Sequence, residues 1–233
     1  MCGRLSLTSA DHRAAAELIA DLIPRFDAAE FGAWLERSGY QPRYNVGPSQ
    51  DHWLVQPRGE RPILARARWG LPGARGQLVI NARAETVSER PMFRAAFAHD
   101  RCLVVADGFF EWDRSGGRPQ PWWFQDAAGR GLLFAAVHSE GRFAIVTVPA
   151  SADVEPFHTR MPAIIEPGAQ QRWLFGPPAE ARPLLASAPA GSLRARAVSR
   201  RINSMEHDDP ACVEPVELAP PRPADQLALI ERG

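Results

Sequence analysis

Apolar residues recur at helical spacing from Asp11 to Leu22, behind Ser9 and Asp11 as capping residues, and this spacing predicts a helix. A second, shorter helix is predicted over 28–37. Tyr40 to Ser49 is turn-rich, with Pro42, Asn45, Gly47 and Pro48 following Gly39. From about residue 52 to 165 the pattern changes to short apolar or alternating runs divided by Gly, Pro and Asp. These runs predict strands near 52–56, 62–69, 78–81, 101–106, 109–113, 121–125, 131–137, 142–148 and 162–165. One helix, around 91–98 and opened by Pro91, interrupts them. Many short strands at this spacing point to a curved, barrel-like, mainly antiparallel sheet rather than a parallel doubly wound one. Residues 168–175 and 179–185 read as helical, and Ala195-Arg196-Ala197-Val198 reads as an edge strand. The expectation is an α+β fold with short flanking helices, a single domain over 1–216 and a loose proline-rich tail over 217–233.

Composition narrows this picture. A chain of 233 residues with 45% hydrophobic content can bury a substantial core without disulfides or metals. No stretch approaches the roughly 18 apolar residues of a membrane span, and the first residues lack the apolar run of a secretion signal. Cys2, Cys102 and Cys212 leave an odd thiol without paired spacing, which suggests a reducing, cytoplasmic setting; Cys102 and Cys212 read as structural. The absence of C-x-x-C and H-E-x-x-H patterns argues against a metal site, and no cofactor is implied. Net charge is zero, so the global basic signature of many nucleic-acid binders is missing, although a local arginine groove is still open. With no evident interface stripe, a monomer is expected.

The chain contains no lysine, so all 27 basic residues are arginine. A guanidinium is protonated at any working pH and is a poor amine nucleophile. Once Met1 is removed, the one ordinary primary amine sits on the same carbon as the Cys2 thiol. That pair can capture an aldehyde twice, first as an imine and then as a thiazolidine. Position alone equally allows Cys2 to be an accident of a short N-terminal tail. Three further segments interrupt apolar runs with reactive residues: Asn81 to Thr86, Ala106 to Trp112, and Phe157 to Pro162. Glu111, between Phe110 and Trp112, fits either a desolvated acid or a solvent-facing strand carboxylate. His158 fits acid–base chemistry or a structural hydrogen bond. Asn81 fits an orienting amide or a turn residue. Arg83 and Arg160 fit phosphate contacts or surface solvation.

Taken together, M-C-G-R at the start, R-Y-N-V-G-P-S-Q at 43–50, R-W-G-L at 68–71, N-A-R-A-E-T at 81–86, R-C-L-V-V-A-D-G-F-F-E-W at 101–112 and H-T-R-M-P at 158–162 resemble the SRAP family, the SOS response-associated peptidase proteins. The resemblance runs from Met1 to about Val216. It implies the SRAP fold and recognition of abasic sites in single-stranded DNA, with covalent capture as a thiazolidine through Cys2. It further implies Asn81 positioning the amine, Glu111 as the acid/base for sugar opening and imine formation, and His158 assisting the Schiff base or β-elimination. Arg83 and Arg160 resemble phosphate-binding arginines, and Arg4, Asn45 and Pro48 belong to the implied DNA-contacting set. The segment after Trp69, G-L-P-G-A-R-G-Q-L-V-I, is shorter than in some family members and lacks their DNA-wedging tryptophans. That removes base stacking worth about 1–3 kcal/mol, for which Arg75 and Pro48 are candidate substitutes. Thr159 stands where an acidic residue is common. The implied location is cytoplasmic, on the nucleoid when DNA-bound. Two other readings compete: an autoprocessing thiol peptidase using Cys2, Glu111 and His158, and a DNA-binding module with an incidental cysteine.

Overall fold

The computed structural model describes residues 3–23 and 27–218. Its elements, in chain order, are β1 (Leu5–Leu7), α1 (His12–Leu22), α2 (Ala28–Arg37), β2 (Arg43–Val46), β3 (Asp51–Arg58), β4 (Arg61–Trp69), β5 (Leu71–Pro72), β6 (Leu78–Val79) and β7 (Asn81–Arg83). After these come α3 (Pro91–His99), β8 (Arg101–Ala106), β9 (Gly108–Asp113), β10 (Gln120–Asp126), β11 (Leu132–Ser139), β12 (Arg142–Pro149) and β13 (Arg160–Pro162). The chain continues through α4 (Gln170–Phe175), α5 (Pro178–Ala181) and β14 (Leu193–Ala197), with short 3₁₀ turns between and after them. Cys2 and the tail beyond residue 218 lie outside the described residues, and with them the expectation of a loose C-terminal segment.

The expected curved sheet is a closed one. Strands pair in the order β11-β8-β3-β4-β12, and β12 pairs back onto β11. Closure removes the exposed edges that an open sheet would have. All of these pairs are antiparallel except β4 with β12. Residues on β8 and on most of β11 are buried whichever way they point, because one face fills the ring and the other is covered. The short strands β7 and β13 attach to opposite edges of β12. A second, wholly antiparallel sheet runs β14-β10-β9-β1-β2. Its inner face, with Phe109 and Phe124, joins the large core, while Phe110 and Trp123 on its outer face pack with Val198, Ile202 and Cys212 in a smaller one.

Local chemistry explains the helices. Asp11 Oδ1 accepts the N–H groups of Arg13 and Ala14, both at 2.9 Å, and Asp27 caps α2 in the same way. Helix α3 opens with Pro91 and ends at a buried guanidinium. Arg101 donates to the carbonyls of Phe97 (2.6 Å), Ala98 (3.3 Å) and Trp173 (2.6 Å), and to that of Gly176. It thereby satisfies the C-terminal carbonyls of α3 and α4 together.

The structure departs from the sequence pattern at several points. Arg43–Val46, inside the stretch read as turns, is strand β2, and Leu5–Leu7 is a strand that the pattern did not announce. The single strand expected over 78–81 is divided between β6 and β7, and that over 162–165 is shifted to Arg160–Pro162. These strands are too short for period-2 alternation to register.

Candidate active site

The approach to Cys2 is fixed by β1. Leu5 lies opposite Phe109 and Ser6 opposite Gly108, and the Phe110 N–H donates to the Arg4 carbonyl at 3.1 Å. This register carries Gly3 to the position opposite Glu111. A half-buried carboxylate holds the strand there. Asp107 accepts hydrogen bonds from Ser6 Oγ (2.6 Å) and from Thr8 N and Oγ1 (both 2.5 Å), while its own N–H donates to the Ser6 carbonyl. Ser6 Oγ in turn accepts from Trp123 Nε1 at 3.0 Å. Gly108 leaves room for this arrangement, since a Cβ there would sit 2.1 Å from Trp123 Nε1.

Glu111 is 2% exposed. Burial pushes its carboxyl pKa up to about 7, against the opposing influence of the Arg114 charge. Trp122 lies directly opposite it on β10, on the same face, and stacks at a tilt on Phe157 with centroids 4.9 Å apart. That contact brings Phe157 against β10, the strand paired with that of Glu111. His158 Nδ1 is held by the Arg160 backbone, 2.9 Å from its N and 3.1 Å from its O, so acid–base work falls to Nε2. Partial burial lowers the His158 pKa, and the charges of Arg114 and Arg160 act in the same direction. Glu111 therefore titrates near neutrality, and His158 below the ordinary imidazole range.

Asn81 and Arg83 share one face of β7, in register with Ile145 and Thr147 of β12. Arg83 is exposed. Arg160 donates through Nε to Thr147 Oγ1 (3.2 Å), through Nη2 to the Thr147 carbonyl (2.6 Å), and as a fork to Glu85 Oε1 and Oε2 (2.8 and 2.9 Å). Asn81 and Arg83 on β7 and Arg160 on β13 thus flank β12, with His158 two residues ahead of β13, and the Trp122–Phe157 contact links this segment to the strand paired with that of Glu111.

The remaining expected contact residues divide. Pro48 occupies a turn in which the Gln50 N–H reaches the Gly47 carbonyl and Ser49 adopts a positive φ of 69°. Arg75 is exposed at the tip of the β5–β6 hairpin, where Leu78 is the exposed apolar residue. Asn45 differs: its exposure is 0%, and its Nδ2 donates to the carbonyls of Ile202, Ser204 and His207 at 3.2, 2.8 and 2.7 Å. This corrects the expectation of a DNA contact, because an amide so enclosed by protein cannot reach a ligand. Arg4 donates to Asn45 Oδ1 and to the Ile202 carbonyl, each at 3.3 Å. Asp208 completes the arrangement by accepting from the N–H groups of Tyr44 (2.5 Å) and Asn45 (2.9 Å) and pairing with Arg43. Residues 199–213 therefore form a strap across β2 and β9. Sequence reading passed over this strap, Asp107 and Glu85. Asp107 and Glu85 did sit inside two of the quoted motifs, whereas the strap has no periodicity to mark it.

Comparisons with known proteins identify the family and the fold. Residues 1–205 match the family model described as SOS response associated peptidase (SRAP). The chain is similar to the abasic site processing protein YedK of Escherichia coli, at 32% identity over 93% of this chain and 100% of that one. It is also similar to the abasic site processing protein YoqW of Bacillus subtilis, at 32% identity over 92% and 99%. In fold it resembles a solved protein of Bacteroides thetaiotaomicron, with a TM-score of 0.75 at 19% identity over 93% of this chain and 100% of that one.

Proposed function

The chain belongs to the SRAP family, and on that premise we propose that it captures abasic sites in single-stranded DNA through Cys2 after Met1 is removed. Support comes from the register that carries Gly3 opposite the buried Glu111, one residue from the proposed nucleophile. The closed sugar first opens to its aldehyde by proton transfer, for which a carboxyl with a pKa near 7 is suited. The α-amine of Cys2 adds to the aldehyde carbon, and the resulting carbinolamine loses water as Glu111 or His158 Nε2 supplies the proton. The thiolate then adds to the imine carbon, the imine nitrogen takes up a proton, and the thiazolidine ring closes. Both the amine, with a typical pKa of about 7.7–8.0, and the thiol, at about 8.5, are partly available near neutrality.

Asn81 is assigned the orientation of the amine, and Arg83 and Arg160 the phosphates beside the lesion. Arg4, Pro48 and Arg75 are assigned to the surrounding strand. His158 is the base suited to removing a C2′ proton from the imine, which would expel the 3′ phosphate and give strand cleavage. Peptidase action is assigned to the removal of Met1.

The test is an oligonucleotide assay. Single-stranded DNA with one abasic site should give a heat-stable shifted band, and intact DNA should give none. Cys2→Ala should abolish the band, and Cys2→Ser should form only an imine that borohydride traps. A band undiminished in Cys2→Ala would overturn the proposal. Because the chain has no lysine, a trapped imine should map to the Cys2 nitrogen.

A further inference from the structure

Arg160 has five N–H donors in a planar fork, and hydrogen bonds already occupy four of them. Two are fixed by the strand: Nε to Thr147 Oγ1 and Nη2 to the Thr147 carbonyl. The other two form the parallel, bidentate arrangement with Glu85 that a guanidinium would otherwise present to a phosphate. The partners differ in environment. The Arg160 side chain is 14% exposed and that of Glu85 is 49% exposed. The guanidinium is anchored, while the carboxylate reaches it from the solvent side and can swing away without unpacking anything. The Glu85 pKa is lowered chiefly by its hydrogen bonds to Arg160, so the carboxylate is charged at working pH.

We propose that Glu85 is a built-in competitor for the phosphate site, holding the Arg160 fork in the unliganded protein until a backbone phosphate displaces it. Phosphate binding at Arg160 is then an exchange of one anion for another. The consequence is selectivity. A strand that engages only this arginine gains little, because it must break an existing pair. A strand seated through several contacts can offset the exchange. Glu85 also keeps the Arg160 fork aligned, so that the donors are in place when the phosphate arrives. The proposal rests on the reading of Arg160 as a phosphate ligand.

Equilibrium binding of an abasic single-stranded oligonucleotide across a salt series separates the possibilities. Exposed ion pairs are weak, so Glu85→Gln should tighten binding by roughly two- to five-fold. The slope of log K against log salt should stay close to the wild-type value, since the same phosphate is engaged in both, and should flatten by about 0.7, the increment for one phosphate on a single strand, in Arg160→Gln. Arg160→Gln should weaken binding, and the double variant should bind like Arg160→Gln alone. Weaker or unchanged binding in Glu85→Gln, with binding lost in Arg160→Gln, would overturn the competitor role and leave the phosphate role standing. Unchanged binding in Arg160→Gln would overturn both. A parallel titration with inorganic phosphate, followed on the Arg160 Nε–H resonance, makes the test independent of DNA recognition. Saturation should occur at lower phosphate in Glu85→Gln, and equal saturation in both proteins would count against the exchange.

Discussion

In β8 all six residues are buried, and in β11 six consecutive residues are, so these strands are held by apolar packing on both faces and by ladders on both sides. By contrast β1, β7 and β13, which lead to or carry most of the proposed chemistry, have three residues each. A three-residue strand has too few ladder bonds to set its own register. At this end of the molecule, side chains bonded to backbone do the positioning: Asp107 for β1, the Arg160 fork for β13, and Asn45 and Asp208 for the strap. The barrel is specified by area removed from water, and the site by individual polar bonds. A chemical site needs placement to within fractions of an ångström, and directional bonds supply this where non-directional packing does not.

The largest test of the contrast is a barrel cavity. Phe134→Ala, at a position with no exposed surface, should cost about 3–5 kcal/mol in denaturant unfolding, wherever the chemistry lies. Two buried titratable groups come next, and their signs are opposite. His52 donates Nε2–H to the Val105 carbonyl at 2.7 Å, and burial depresses its pKa to about 4 from 6.5. The unfolded chain therefore binds the proton first, and stability should fall by roughly 3 kcal/mol as pH drops from 6.5 through 4. Glu111 is raised from 4.5 to about 7, so its effect should lower stability as pH rises across that interval. Glu111→Gln should remove the second slope and slow crosslinking. Urea midpoints across pH check both.

Asp107→Ala should cost roughly 1–3 kcal/mol by leaving buried partners unmatched. Its distinguishing readout is hydrogen exchange, which should accelerate at Thr8 and Phe110 while Leu103 and Phe134 stay protected. At the small end, Arg201→Ala breaks a surface pair with Asp209 at 2.8 Å and should leave the urea midpoint almost unmoved. A loss comparable to that of Asp107→Ala would mean the strap is held by its rim rather than by Asn45.

The same contrast explains what was legible in the sequence. The runs Cys102 to Ala106 and Leu132 to Val137 announce themselves as strands because buried area demands apolar residues in sequence. Asp11 and Asp27 mark their helices because capping is a local event. The Glu111, His158 and Arg160 motifs were visible as interruptions of apolar runs, but their meeting depends on Trp122 and Phe157, far apart in the chain. The family resemblance puts Asn45 among the DNA contacts. Only the fold shows that residues more than 150 positions later enclose it. Ser6 and Asp107 were silent for the same reason, since a hydrogen bond across 101 residues leaves no periodic trace.

The strap has a consequence for the order of synthesis. Arg4 and Asn45 find their partners at Ile202, Ser204 and His207, nearly two hundred residues downstream in the case of Arg4. A nascent chain can close the barrel once β12 has left the ribosome, and β1 can already pair with β9 and bond Asp107, but Arg4 and Asn45 lack these partners until the strap follows. The segment that begins the fold is made first and receives its last contacts from the strap. A ribosome stalled before residue 199 would therefore carry a folded barrel and a paired β1 in which Arg4 and Asn45 lack their downstream partners.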